Sequence, residues 1–477
     1  MLQGGNIQYD LAQRNRGIAC GGIGAMHLLA GKVELIRLID EKVKVLKQHR
    51  PYHESDHVLN IAYNILCGGR VLDDIELRRN DEVYLDALNA QSIPDPTTAG
   101  DFCRRFEESQ IYALMEAINE ARVKVWQRQP ASFTEQTARI DADGSLVPTL
   151  GECKEGMDIS HKGAWGYHPL LVSLANTQEP LYLLNRGGNR PSHEGVVPLY
   201  DKAIELCRRV GFSDILLRGD TDFSLTTEFD RWNDDHVRFV FGYDAMKNLV
   251  HRADRMPEIE FDALVRRAER EIQTEPRQRP ENVKERIVRE REFRNIRLKS
   301  EEVVDFPYQP VKCRRPYRMV AVRKNLSVEK GEAVLFDEIR YFFYVTNDWE
   351  MSQEEVVREA MQRCNQENLI AQLKDGVRAL HAPVNTLNAN WAYMVMASLA
   401  WSLKVWAGLM LPVHGRWRDK HAREREQLLR MEFRTFLNAF MALPAQIVRT
   451  GRRIYYRLMS WNPCQHILLR LVCALRE

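Results

Sequence analysis

The sequence predicts an α/β protein: a mixed sheet with flanking helices, entered and left through helical regions. Three observations carry this reading. Up to about residue 130 the apolar residues recur at helical spacing, from about residue 135 they alternate, and short apolar strands then take turns with helical stretches. The 477 residues allow two or three domains, and 44% hydrophobic content can fill a substantial core.

Taken in order, "HVLNIAYNILCGG" has helical apolar spacing and a Gly-Gly stop, and "PDPTTAGDFCRRFEESQ" offers proline, threonine caps and an amphipathic run. Short helices joined by tight turns suit a helix-turn-helix DNA reader and a plain bundle equally. In "TARIDADG", Thr137, Arg139, Asp141 and Asp143 fall on one side, with Ala138, Ile140 and Ala142 on the other. Residues 166–175 and 181–185 read as two more strands around "NTQEP". A helix over 193–210 closes at Gly211. "DILLR" at 214–218 is continuous and apolar, as in a sheet covered on both faces, and "VRFVFGYD" follows a further helix. Three opening strands and a βαβαβ run imply a mixed sheet.

Residues 255–300 are expected to interrupt that sheet with a charged helical stretch. In its run 266–290, "RRAEREIQTEPRQRPENVKERIVRE", acids balance bases, which favours a solvated helical pair over a nucleic-acid patch. The strands "YRMVAVRKNL" and "EIRYFFYVTN" follow around a turn at Gly331. Ser352 and Glu355 then form a capping box for a helix that Gly376 stops. The C-terminal quarter reads as helical. Between Gly415 and Arg457 it holds eleven Arg/Lys against four Asp/Glu, with Trp417, Tyr455 and Tyr456 interspersed. That is either a nucleic-acid surface or a bundle with a basic exterior.

Composition excludes some classes. The charged fraction is 28% but the net charge only +2, so polyanion binding must come from local basic surfaces. Nine scattered cysteines without a C-x-x-C pair argue against a zinc ribbon or disulfide scaffold and suggest a reducing interior. "MLQGGNIQYDLAQRNRG" lacks an apolar signal core. Residues 391–413 resemble a membrane span, but Lys404, two serines and a proline interrupt them, which points to a buried helix. A soluble intracellular protein is expected.

Residues 363–376, "RCNQENLIAQLKDG", carry the chemistry. Helical geometry puts Arg363, Glu367 and Lys374 in one stripe, with Ala360, Cys364 and Ala371 nearby on a face expected to point inward. An acid there calls for a cation, either a side chain or a metal; the plain alternative is an i,i+4 salt bridge on a solvated face. Asp143 ends the first strand and Asp220 lies just beyond the fourth, where ligands gather in open sheets, although aspartates there are also common turn and cap residues. If those strands are adjacent, Glu367 can complete a three-carboxylate cage for Mg²⁺. Two such ions about 3.5–4 Å apart activate a water and stabilise the leaving oxygen of a phosphodiester. Arg363 and Lys374 would hold flanking phosphates. His161 and His168, either side of Trp165, are too few for zinc and read as structural or phosphate-contacting.

"RIDADGS", "KGAWGYHPLLVSLA", "LLRGDTDF", "YFFYVTNDW" and R-x3-E-x6-K, in that order, resemble the DDE transposases of bacterial insertion sequences, in particular the insertion sequence 1380 group. The likeness includes "CGGRVLDDIELRRND" and "PDPTTAGDFCRRF" in the helical N-terminus. It implies an α/β, ribonuclease-H-like mixed-sheet core with Asp143, Asp220 and Glu367 as the three catalytic acids and metal ligands. It also implies Mg²⁺, replaceable by Mn²⁺, and Arg363 and Lys374 on DNA. In the family signature Y-x2-R-x3-E-x6-K the tyrosine position is Ala360 here. Asp141 competes for the role of first acid; Asp143 is preferred because Gly144-Ser145 follows it, and Asp222 reads as a cap beside Asp220. The implied layout is a helical DNA-binding domain over 1–130, the first part of the core over 131–250, an inserted α+β segment over 251–345, the helix with the third acid over 346–390 and a basic helical region over 391–477. The insertion would hold the transposon end, with Trp349 supporting a flipped base or packing in the core. The partners implied are double-stranded DNA, as transposon ends and target, and a second copy forming a homodimer on DNA, in the bacterial cytoplasm at the nucleoid and with no membrane. Two alternatives share this core: a nuclease without strand transfer, and a domesticated DNA-binding protein.

Overall fold

The computed structural model describes residues 16–49, 51–264, 286–287, 290–291, 294–330, 333–451, 453–459 and 461–477. Most of the charged run 266–290, the turn at Gly331 and most of the N-terminal "MLQGGNIQYDLAQRNRG" lie outside the described residues.

The centre is a nine-stranded sheet among these residues. Its strands are β1 (Ala138–Gly144), β2 (Leu170–Leu174), β3 (Glu179–Leu184), β4 (Ile215–Gly219), β5 (Arg238–Tyr243), β6 (Arg294–Tyr308), β7 (Tyr317–Lys330) and β8 (Ala333–Thr346), with Asp262–Ala263 as a short edge. Across the sheet the order is edge, β6, β7, β8, β5, β4, β1, β2, β3. Strand β1 runs antiparallel to β2 and parallel to β4, which is parallel to β5. The mixed sheet expected from the sequence is present.

Alternation along β1 sets the layers. Ala138, Ile140 and Ala142 are fully buried and join the main apolar core under helix α2 (Val196–Val210). The opposite face carries Arg139 and Asp141 toward helix α3 (Gln353–Gln362). Helix α2 begins at residue 196 rather than 193, after Gly195 at φ 80°, and ends on Gly211 at φ 110°, a left-handed position that suits glycine. Residues 166–175 are two strands, Trp165–Tyr167 and β2, because His168-Pro169 breaks the ladder.

Strands β6, β7 and β8 continue the core sheet through the β8–β5 pairing. The expected charged helical interruption over 255–300 is therefore a strand from Arg294 onward. The sequence hid it because "RNIRLKSEEVVDFPY" lies with its first six residues exposed and has no clean alternation.

The helical N-terminal segments and the C-terminal region meet on helix α4 (Leu387–Leu409), buried throughout from Ala389 to Leu409. It is long and apolar enough to cross a membrane, but its surface is covered by the protein itself. Buried Glu179 on β3 ties this layer to the sheet, accepting from Trp406 Nε1 at 2.8 Å, Trp126 Nε1 at 2.9 Å and Arg122 at 3.0 Å. The C-terminal quarter is not all helical. Ala445–Thr450 and Arg453–Leu458 form a hairpin that pairs with Gly17–Ile18. Near the N-terminus, Asp95 rather than a threonine caps helix α1 (Pro96–Cys103), accepting from Thr98 N at 2.9 Å.

Candidate active site

Parallel pairing of β1 and β4 sets Asp141 opposite Arg218. Two residues further along the same direction, Asp143 and Asp220 leave the carboxyl ends of adjacent strands together. Asp220 caps the tight turn Thr221–Phe223, its Oδ1 accepting from Asp222 N at 3.0 Å. The expected cap is thus Asp220 itself, and exposed Asp222 supplies only its amide to that bond.

Asp143 is mostly buried, and burial pushes its carboxyl up to about 6. Arg363 opposes that rise; Asp220 and Glu367 add to it by repulsion. The three acids therefore share one electrostatic neighbourhood. Asp220 is also raised, first by burial and then by Asp222, with Arg363 again opposing. The Arg363 guanidinium stands 3.7 Å from Asp143 Oδ2 and is the nearest counter-charge.

The capping box is formed: Ser352 Oγ accepts from Glu355 N at 3.2 Å and Glu355 Oε2 accepts from Ser352 N at 2.8 Å. The helix it opens is not continuous. It breaks at Arg363 between α3 and the next helix, Cys364–Ala371, and ends in a π turn, Gln372–Gly376. Half of the stripe also faces outward rather than inward, while Ala360, Arg363 and Lys374 are half-buried. Cys364, Glu367 and Ala371 are exposed, while Gln366, Leu369, Ile370 and Leu373 are buried. Gln366 fixes the face, accepting from Ser173 Oγ and donating to Leu171 O at 3.3 Å on β2. Glu367 is thus exposed, within electrostatic reach of Asp143 at the strand end.

Lys374 reaches back to the loop after β1, donating to Leu146 O at 2.9 Å. Burial lowers its ammonium pKa, against Asp375 and Asp143. His168 sits under the same loop: a Cβ at Gly144 would lie 2.8 Å from its Nε2. Burial lowers its pKa, and Nδ1 meets Arg190 O at 2.8 Å, while His161 is exposed. Trp349 is half exposed rather than packed in the core.

Asp141 has a different fate from Asp143. It is completely buried in a bidentate pair with Arg218, at 2.6 and 2.8 Å. Tyr344, which the sequence did not single out, packs from β8 into the same small apolar cluster as Ala360 and is within electrostatic reach of Arg363. It brings an aromatic ring close to the position where the signature has its tyrosine; pairing of β8 to β5 makes this so, and no local sequence signal marks it.

Among the described residues, no three Asp, Glu, His or Cys side chains are gathered closely enough to grip one metal ion. The donor chemistry nevertheless fits a hard divalent cation. Asp143 and Asp220 are oxygen donors at adjacent strand ends, their carboxyls are raised by burial and by acidic neighbours, and one arginine at 3.7 Å leaves that charge incompletely balanced. Of the expected basic and aromatic C-terminal surface, Trp417 and Tyr455 are exposed, but Tyr456 donates to Ala87 O at 2.7 Å within the fold.

No curated protein matches the chain. A cryo-EM structure of piggyBac transposase in a synaptic complex with hairpin DNA is similar to it at 12% identity and a TM-score of 0.35, covering 90% of this chain and 85% of that one. Residues 18–477 match the family described as "Transposase DDE domain group 1". The chain belongs to the transposase DDE domain group 1 family.

Proposed function

We propose that this protein cuts DNA at the terminal inverted repeats of its own element and joins the ends to a target, using Asp143, Asp220 and Glu367. The observation that carries the reading is the placement of Asp143 and Asp220 at the adjoining ends of two parallel neighbouring strands, with Glu367 within electrostatic reach of Asp143. The sheet order β3-β2-β1-β4-β5, with only β2 antiparallel to both its neighbours, supports a ribonuclease-H-like core. The ordered motifs quoted above support the insertion sequence 1380 group and a bacterial source.

Asp143 and Asp220, with Glu367 as third ligand, would hold Mg²⁺ or Mn²⁺. When bound, the metal activates a water or a 3′-hydroxyl and stabilises the leaving oxygen. The chain's own part is orientation. Arg363, just before the Glu367 helix, brings its guanidinium to 3.7 Å from Asp143, where it can bind a phosphate in two-pronged fashion. Lys374 holds the loop after Asp143 in place and adds positive charge beside it. Burial of both aspartates strengthens the charge interactions they make. DNA would lie across this edge, with two copies acting together on paired ends.

The test is cleavage and joining of a plasmid carrying the element ends, with Mg²⁺ or Mn²⁺. Asp143→Asn, Asp220→Asn and Glu367→Gln should each lose on the order of 10³-fold or more in rate while still binding the ends. A folded Glu367→Gln protein that cleaves normally removes the third acid from the scheme. Cleavage without joined products would mean a nuclease, and binding without cleavage a domesticated DNA-binding protein.

A further inference from the structure

A second set of charged side chains lies beneath the site, and nothing in the proposed chemistry uses it. Arg218 donates from Nε and Nη2 to Asp141 at 2.6 and 2.8 Å, and from Nη1 to Glu359 Oε2 at 2.8 Å. Arg139 closes the far side of Glu359, from Nη2 to Oε1 at 2.7 Å and from Nε to Oε2 at 2.9 Å. The side chains of Asp141, Arg218 and Glu359 are at most 4% exposed. Two acids and two bases make the group neutral, and Tyr200 OH donates to Arg218 O at 3.0 Å behind it.

The placement along the chain is what matters. Asp141 is two residues before Asp143 on β1. Arg218 is two residues before Asp220 on β4. Glu359 is on α3, four residues before Arg363 and eight before Glu367. The two strands and the helical segment that lead to the proposed catalytic acids thus each supply one member of a single buried ionic group, with Arg363, at helical φ −54° and ψ −27°, joining α3 to the helix that bears Glu367. Stability alone does not explain it, because a buried ion pair is often no more stabilising than well-packed apolar residues of the same volume. Geometry does. A guanidinium is a rigid planar fork, and filling three of its N–H positions with two carboxylates fixes the distance and tilt between strand, strand and helix.

We propose that Asp141, Arg218 and Glu359 are positioning residues, an ionic clamp that sets the spacing of Asp143, Asp220 and Glu367 and thereby their fit to a divalent cation. This rests on those three acids being the metal-binding set. The clamp touches neither metal nor DNA and acts through the backbone of the elements it joins, as outer-layer partners of metal ligands do.

The experiment is Mn²⁺ binding to the full-length protein, read from the electron paramagnetic resonance signal of the free ion, for wild type, Asp143→Asn, Arg218→Lys and Glu359→Gln. Thermal melting of each variant checks folding. Arg218→Lys keeps the charge but not the fork; it should weaken Mn²⁺ binding about 10–100-fold. On a plasmid carrying the element ends, it should lower kcat with KM for DNA unchanged, a split that mere loosening of the fold would not give. If Arg218→Lys does not fold, Glu359→Gln, which keeps shape and hydrogen-bonding oxygen, is read in the same way. Mn²⁺ binding lost in Asp143→Asn but kept within twofold in a folded clamp variant overturns the clamp alone. Binding that survives Asp143→Asn overturns the reading beneath it.

Discussion

Two rows of charged side chains follow the same two strands and the helical run through Arg363, two residues apart along the strands, and the fold treats them oppositely. The lower row, Asp141, Arg218 and Glu359, is buried and fully paired. The upper row is more open, with Asp143 and Asp220 half-buried and Glu367 exposed, and its nearest cation is Arg363 at 3.7 Å from Asp143. The lower row turns charge into fixed geometry. The upper row keeps an unbalanced negative charge, which is what a site for a cation and a phosphate requires. Residue type does not separate Asp141 from Asp143. Register does: Asp141 faces an arginine across the ladder, and Asp143 continues toward an aspartate.

Removing one member of the lower row should have the largest effect. Arg218→Ala leaves Asp141 and Glu359 buried without their shared partner and should destabilise the protein by about 3–5 kcal/mol, read as a fall in the urea midpoint. An effect under about 1 kcal/mol would mean that the lower row is wet and unimportant.

Lys404 sharpens the contrast, because it is a buried charge given no carboxylate. Its ammonium lies 4.3 Å over Trp401 and donates to Leu429 O at 2.6 Å, and burial lowers its pKa to about 7. With the folded value below the unfolded one, the penalty is greatest below pH 7 and fades as pH rises toward the unfolded value. Lys404→Met should therefore stabilise, by roughly 2 kcal/mol more at pH 6 than at pH 9. A gain that is the same at both pH values would show that Lys404 titrates normally.

How much of this was legible in the sequence follows the same division. The alternation of "TARIDADG", the apolar run before Asp220 and the R-x3-E-x6-K spacing placed β1, β4 and the candidate acids, because period and spacing are local properties. Which aspartate is buried was not local; it depends on Arg218, 77 residues from Asp141 along the chain, and on Glu359, a further 141 residues on. The outward turn of the Glu367 stripe was misread for a related reason. Small residues at 364 and 371 looked apolar, yet Gln366, a polar residue, takes the buried face because Ser173 and Leu171 on β2 satisfy it. Strand β6 was missed because its first six residues are exposed and carry charge on both faces, so the period-2 signal that marks a half-buried strand is absent.

The smallest expected effect tests the upper row directly. In the metal-free protein the Asp143 carboxyl sits at about 6, raised from its ordinary 3.8 by burial and by Asp220 and Glu367. A raised carboxyl pKa means that the native state binds the proton more tightly than the unfolded chain. Stability is therefore lost as pH rises from about 4 to 6 and does not return above that window. Asp143→Asn removes this ionisation. With chelator present it should stabilise by something of the order of 2 kcal/mol at pH 8, with the gain shrinking toward zero near pH 4. Saturating Mg²⁺ should reverse the ranking, raising the melting temperature of wild type but not of the variant, since only the wild-type carboxylate exchanges its repulsive neighbours for a cation. If Asp143→Asn destabilises at pH 8 without metal, the upper row is a structural pair like the lower one, and the distinction between them fails.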